Sequence, residues 1–66
     1  MAVLKVLEIL ASSEKGWEEA TAQAVKKASK TLKNIRSANV SNMSTTVKNG
    51  KIAEYRVNVK VVFELD

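Results

Sequence analysis

The feature that most constrains this chain is Asn49-Gly50, set between two runs that both read as strand. A two-residue Asn-Gly connection is the strongest short-range signal for a type I′ hairpin turn, whose central residues both take positive φ. The run that follows, Lys51 to Asp66, alternates. Ala53, Tyr55, Val57, Val59, Val61, Phe63 and Leu65 fall on one side, and Ile52, Glu54, Arg56, Asn58, Lys60, Val62 and Glu64 on the other. A period of two marks a strand with one buried face. With Lys48 opposite Lys51, an unbroken register sets Met43 against Arg56, Ser41 against Asn58, Asn39 against Lys60 and Ser37 against Val62.

Upstream of the hairpin the period changes. Trp17, Ala20, Ala24, Val25, Ala28, Leu32 and Ile35 recur at close to 3.6 residues, which predicts a helix from about Trp17 to Asn34. Ala20, Ala24 and Ala28 form a stripe of small residues that lets the helix lie close to a sheet. Gly16 suits the N-cap, and Glu19, three residues on, is placed to reach back to it. Glu18 and Glu19 in the first turn, and lysines in the C-terminal half, complement the helix dipole. Ahead of an Ala11–Gly16 loop, Val3 to Leu10 reads as a first strand. It is apolar on both sides, so both of its faces expect cover.

The order is therefore β-α-β-β, an α+β fold. The long third strand is best placed between the other two, giving a three-stranded antiparallel sheet curled over one helix. With 66 residues there is material for one domain, 1–66, and a domain of that size buries only about 60% of its unfolded surface. Small folds gain support from disulfides, metals or self-association. The chain has neither Cys nor His, which removes disulfides, thiolate or imidazole metal sites, and nucleophile–imidazole catalysis. Only carboxylates and amides remain for a metal, a set suited to Ca²⁺ or Mg²⁺. Self-association is the stabiliser left, and the unpaired edges of the outer strands point the same way.

No reading as an enzyme survives this inventory. Both glycines are isolated, so no phosphate loop exists, and Glu18–Glu19 is accounted for by the helix dipole. The net charge of +4, from 11 Lys+Arg against 7 Asp+Glu, admits a nucleic-acid partner. Yet Lys26, Lys27, Lys30 and Lys33 follow one helix, and the aromatics are one Trp, one Tyr and one Phe. They read as a solvated face. With no apolar run of transmembrane length and no signal-peptide pattern at the start, the expectation is a soluble cytoplasmic protein engaging neither nucleic acid nor membrane. The polar sheet face (Ser37, Asn39, Ser41, Met43 and Thr45 beside Glu54, Arg56, Asn58 and Lys60) is either simply solvent-exposed or a wall of a ligand site or subunit interface.

Over essentially its whole length the sequence resembles the dodecin family. The resemblance is carried by "KVLEILASSEKGWEEATAQAVKKASKTLKNIR" and by "NGKIAEYRVNVKVVFEL". It implies the same β-α-β-β subunit and a hollow, roughly spherical homododecamer. It also implies a role in binding flavins (riboflavin, lumichrome or FMN), stored or sequestered rather than turned over. In the family, flavins sit in antiparallel pairs on two-fold axes between tryptophans of two subunits. Some members also bind coenzyme A near trimer contacts, and some relatives bind calcium.

Two departures stand out. A family pattern like "LRNLRWFEV" reads "LKNIRSANV" here, so Ser37 stands at the stacking Trp and Ala38 at the following aromatic. The family's "YQV" reads "YRV", so Arg56 stands at the flavin-contacting Gln. Trp17 matches the helix-start Trp, a packing residue. The expected ligand-binding set is Arg36, Ser37, Asn39, Met43 and Arg56, with no catalytic residue and no metal ligand. Two readings follow: a flavin binder of altered affinity, or a structural cage that holds an anion, coenzyme A or Ca²⁺ instead.

Overall fold

The computed structural model describes residues 1–66. In chain order it has β1 (Leu4–Ser13), α1 (Trp17–Ala28), β2 (Ile35–Lys48) and β3 (Lys51–Glu64). All pairings are antiparallel, in the order β1-β3-β2. This is the expected α+β subunit, with β3 in the centre. Asn49 and Gly50 have φ of 53° and 76°, the positive values a type I′ turn requires.

Two element boundaries differ from the sequence expectation. β1 does not stop at Leu10: Ala11, Ser12 and Ser13 continue the ladder opposite Val57, Arg56 and Tyr55. Small side chains carry little strand preference of their own, but the central strand still offers hydrogen-bonding groups there. The helix ends at Ala28, not Asn34. Ser29 Oγ donates to the Val25 carbonyl and Thr31 Oγ1 to that of Ala28, competing with the helical ladder. Lys30 and Thr31 then bond back three residues, to Lys27 and Ala28, and Asn34 takes φ of 62° before β2 begins. At the other end Gly16 is the N-cap, with φ of 155° and no side-chain cap. Glu19 does not reach back to it; its carboxylate lies 3.9 Å from Lys15 Nζ, on the surface.

The core is one helix stripe against one sheet face. Ala20, Ala24 and Ala28 are buried against Val57, Val59 and Val61, with Ile9, Ala11, Trp17, Leu32, Ile35 and Ala38 packed around them. These six are the only buried residues of 66, a small core for a domain that folds alone. The molecule measures 50 × 19 × 13 Å. A 12-residue helix spans about 18 Å, whereas each 14-residue hairpin strand spans about 46 Å. The hairpin tip therefore projects past the helix. Met43, Val47 and Ile52 on this arm stay exposed, as do Leu4, Val6 and Leu10 on the face of β1 turned away from the helix. The cover that the two-sided apolar pattern of β1 demands is not supplied by one chain.

Candidate functional site

The sheet face away from the helix is set by register, and the register is not uniform. Shifts occur between Thr46 and Val47, between Val40 and Asn42, and between Ile35 and Ser37. Ala53 is the extra residue on β3, and Ser41 and Arg36 are the extra residues on β2. Each such bulge exchanges the faces of the residues beyond it. Asn39 still pairs with Lys60 and Ser37 with Val62, as the sequence predicts, but between the bulges the pairing moves by one.

Residues directly opposite one another share a face, so the outer face can be read as rows across β1, β3 and β2. Val6, Val62 and Ser37 form one row; Glu8, Lys60 and Asn39 the next. Leu10, Asn58 and Asn42 follow, then Ser12, Arg56 and Ser44. The face combines an apolar end with a polar middle. Ser41, bulged out of the ladder, places its Oγ 3.1 Å from Glu8 Oε2 and 3.2 Å from the Asn58 carbonyl oxygen. It ties β2 to β1 across the central strand.

Of the expected ligand-binding residues, Ser37, Asn39 and Arg56 lie on this face. Arg36 sits in the bulge before Ser37 and donates through Nε to Glu64 Oε1 at 3.0 Å, so its charge is already balanced. Met43 does not lie on this face. It pairs with Val57, a core residue, rather than with Arg56, which puts it on the helix side of the sheet along the projecting arm. Thr45, opposite Tyr55, crosses over for the same reason, and Asn42 and Ser44 take the vacated places. Ser12 and Glu8 join the face from β1. Asn42 and Ser44 escaped the sequence reading because no glycine or other bulge signature marks Ser41 or Ala53, Ser12 because the apolar run of β1 ends at Leu10, and Glu8 because the sequence sets no register between β1 and β3.

The sole indole is committed elsewhere. The Trp17 ring meets Tyr55 edge-on at 4.9 Å, and its Nε1 donates to the Ser44 carbonyl at 3.1 Å. It packs α1 on the helix side and offers nothing to the outer face. No three carboxylates converge within the chain. Calcium prefers six to eight oxygen ligands, so the side chains of one copy do not fit a calcium site. On the outer face Val6 and Val62 lie in one row with Ser37, near the amide of Asn39 and along the same face as the guanidinium of Arg56.

Fold and face together define a small α+β domain with a sheet surface of mixed polar and apolar residues turned away from the helix and a core of six buried residues. The Dodecin family model matches residues 3–66, and the chain belongs to the dodecin family. The calcium dodecin of Mycobacterium tuberculosis is 34% identical over 65 residues, covering 98% of this chain and 92% of that protein. The structure of dodecin from Streptomyces coelicolor superposes with a TM-score of 0.93 at 28% identity, over 98% of this chain and 93% of that one. The crystal structure of the M. tuberculosis calcium dodecin, described as having a novel calcium-binding site, gives a TM-score of 0.84 at 37% identity. It covers 97% of this chain and 91% of that one. No helix is long and apolar enough to cross a membrane.

Proposed function

We propose that residues 1–66 form a single dodecin-like domain that assembles into a homododecamer and binds small ligands on the outer sheet face, without catalysis, in the cytoplasm. One observation carries this reading. The chain buries three alanines and three valines, yet leaves Leu4, Val6 and Leu10 exposed on the same face that presents Ser37, Asn39 and Arg56. A second copy laid on that face would cover the apolar residues and enclose the polar ones between subunits. The ligand class suggested by the family is a flavin, and the side chains predict weak binding. Stacking on an aromatic ring contributes about 0.5–1.5 kcal/mol per pair beyond area burial, and Ser37 removes both rings of a two-fold site. Together that is about 1–3 kcal/mol, or roughly 5- to 150-fold in affinity.

Light scattering together with a riboflavin fluorescence titration tests the proposal. The expected result is a particle of twelve subunit masses that quenches riboflavin only at high micromolar protein. A monomer that leaves riboflavin fluorescence unchanged overturns it.

Calcium is the second reading, favoured by the relative named calcium dodecin. Since one chain brings no three carboxylates together, the oxygens would have to come from several copies. Calorimetry with Ca²⁺ on the assembled protein separates the readings, because a flavin site has no need of the ion.

A further inference from the structure

Arg56 is half-buried in the middle of the outer face, yet its guanidinium makes neither a hydrogen bond nor an ion pair within the chain. Ser12 of β1 and Ser44 of β2 lie directly opposite it on either side. Opposed residues of adjacent antiparallel strands have their Cβ atoms about 4.5–5.5 Å apart, so two hydroxyls flank the arginine stem on one surface. The next row adds the amides of Asn58 and Asn42. The nearest carboxylate along β3 on this face is Glu54, and it does not pair with Arg56.

From this row we infer an oxyanion site: Ser12, Arg56 and Ser44 take a phosphate group, either as free phosphate or as part of a phosphorylated small molecule. A guanidinium presents five N–H donors in a planar fork that matches phosphate oxygens, and each serine hydroxyl adds a donor that turns toward an anion. Partial burial of the arginine strengthens its attraction for an anion relative to a fully solvated lysine. Lys26, Lys27, Lys30 and Lys33 are all exposed and share no such arrangement. The inference rests on the reading of the outer face as a ligand face, but not on flavin as the ligand.

The test is calorimetric titration of the assembled protein with inorganic phosphate in a low-salt, phosphate-free buffer, with light scattering on each sample. Wild type binds phosphate saturably. Arg56→Gln weakens binding about tenfold or more. Arg56→Lys keeps the charge but loses the fork, and also binds more weakly than wild type. Ser12→Ala and Ser44→Ala each weaken it several-fold, and Lys30→Gln leaves it unchanged. FMN that displaces phosphate identifies the phosphorylated small molecule as the source; FMN that does not restricts the site to free oxyanion. An absence of saturable binding in wild type overturns the inference, as does equal affinity in Arg56→Gln or an equal loss in Lys30→Gln. An Arg56→Gln protein that dissociates, with no phosphate bound by wild type, assigns Arg56 to a contact between copies and also overturns it. Riboflavin quenching with no phosphate binding defeats this inference alone, whereas a monomer that binds neither ligand defeats the proposed function.

Discussion

Trp17 meets Tyr55 edge-on, with ring centroids 4.9 Å apart and planes at 78°. The indole thus joins the first turn of α1 to β3, while its Nε1 holds the Ser44 carbonyl of β2. One side chain fixes the helix start against two strands. The same two contacts explain why the only Trp cannot serve a ligand on the opposite face.

Trp17→Phe keeps a ring against Tyr55 and loses the N–H bond, which costs about 0.5–1.5 kcal/mol. Trp17→Ala also loses the ring, and because the residue is only half-buried the total is about 3 kcal/mol, at the low end for such truncations. Denaturant unfolding at one fixed protein concentration checks both values, since stability of an assembly depends on concentration. Riboflavin quenching by the Phe variant stays at the wild-type level, because the indole lies on the helix side and its bond to Ser44 is remote from Ser37.

The fold was legible because three local signals agreed. Asn49-Gly50 fixed the hairpin, the alternation from Tyr55 to Phe63 fixed the buried face of β3, and the alanine stripe fixed the helix face; the structure has all three. The helix end was not legible. Leu32 and Ile35 continue the helical period and do pack against the core, but through a turn that the hydroxyls of Ser29 and Thr31 favour. The face was legible only in part, because a register carried back from the turn survives until the first bulge. Asn39 and Ser37 were placed correctly because the shifts at Ala53 and Ser41 offset each other. Met43 and Thr45, lying between those shifts, were assigned to the wrong side.

The Arg36–Glu64 pair is short, at 3.0 Å, but its side chains are 55% and 35% exposed. Surface pairs of this kind contribute about 0–1 kcal/mol, less in high salt. Glu64→Gln therefore changes thermal stability little, and a double-mutant cycle with Arg36→Gln gives a coupling energy under about 1 kcal/mol that shrinks in 1 M salt. Arg36 meets Glu64 at the end of β3 remote from Arg56, eight residues and so about 26 Å along the strand. Glu64→Gln therefore leaves phosphate affinity measured by calorimetry at the wild-type level, and a rise in that affinity means that the anion binds beside Arg36 rather than in the row of Ser12, Arg56 and Ser44.

Ala24 is buried where α1 crosses the valines of β3. A larger side chain there must push the helix off the sheet. Ala24→Leu is expected to cost about 1–3 kcal/mol through overpacking, a large share of the stability of so small a core. Ala22→Leu, on the exposed side of the same helix, changes stability by less than about 0.5 kcal/mol. Unfolding curves of the two variants at equal concentration make the comparison. A neutral Ala24→Leu means that the helix–sheet spacing is looser than the alanine stripe requires.

Ser37 shares its row with Val62 and Val6, an apolar floor without a ring above it. Ser37→Trp supplies the missing surface at the start of β2, where the exposed side chain has space. If the outer faces of two copies enclose a ligand, each subunit contributes one indole, and stacking from both returns about 1–3 kcal/mol. Riboflavin affinity then rises at least about fivefold, read as fluorescence quenching at lower protein concentration. Thr31→Trp, an exposed position in the turn after α1, adds the same chromophore away from the face and gives no such gain. A Ser37→Trp protein that assembles normally but quenches riboflavin no better than wild type rules out a flavin site beside Ser37, because the one group that the face lacks would then have been supplied without effect.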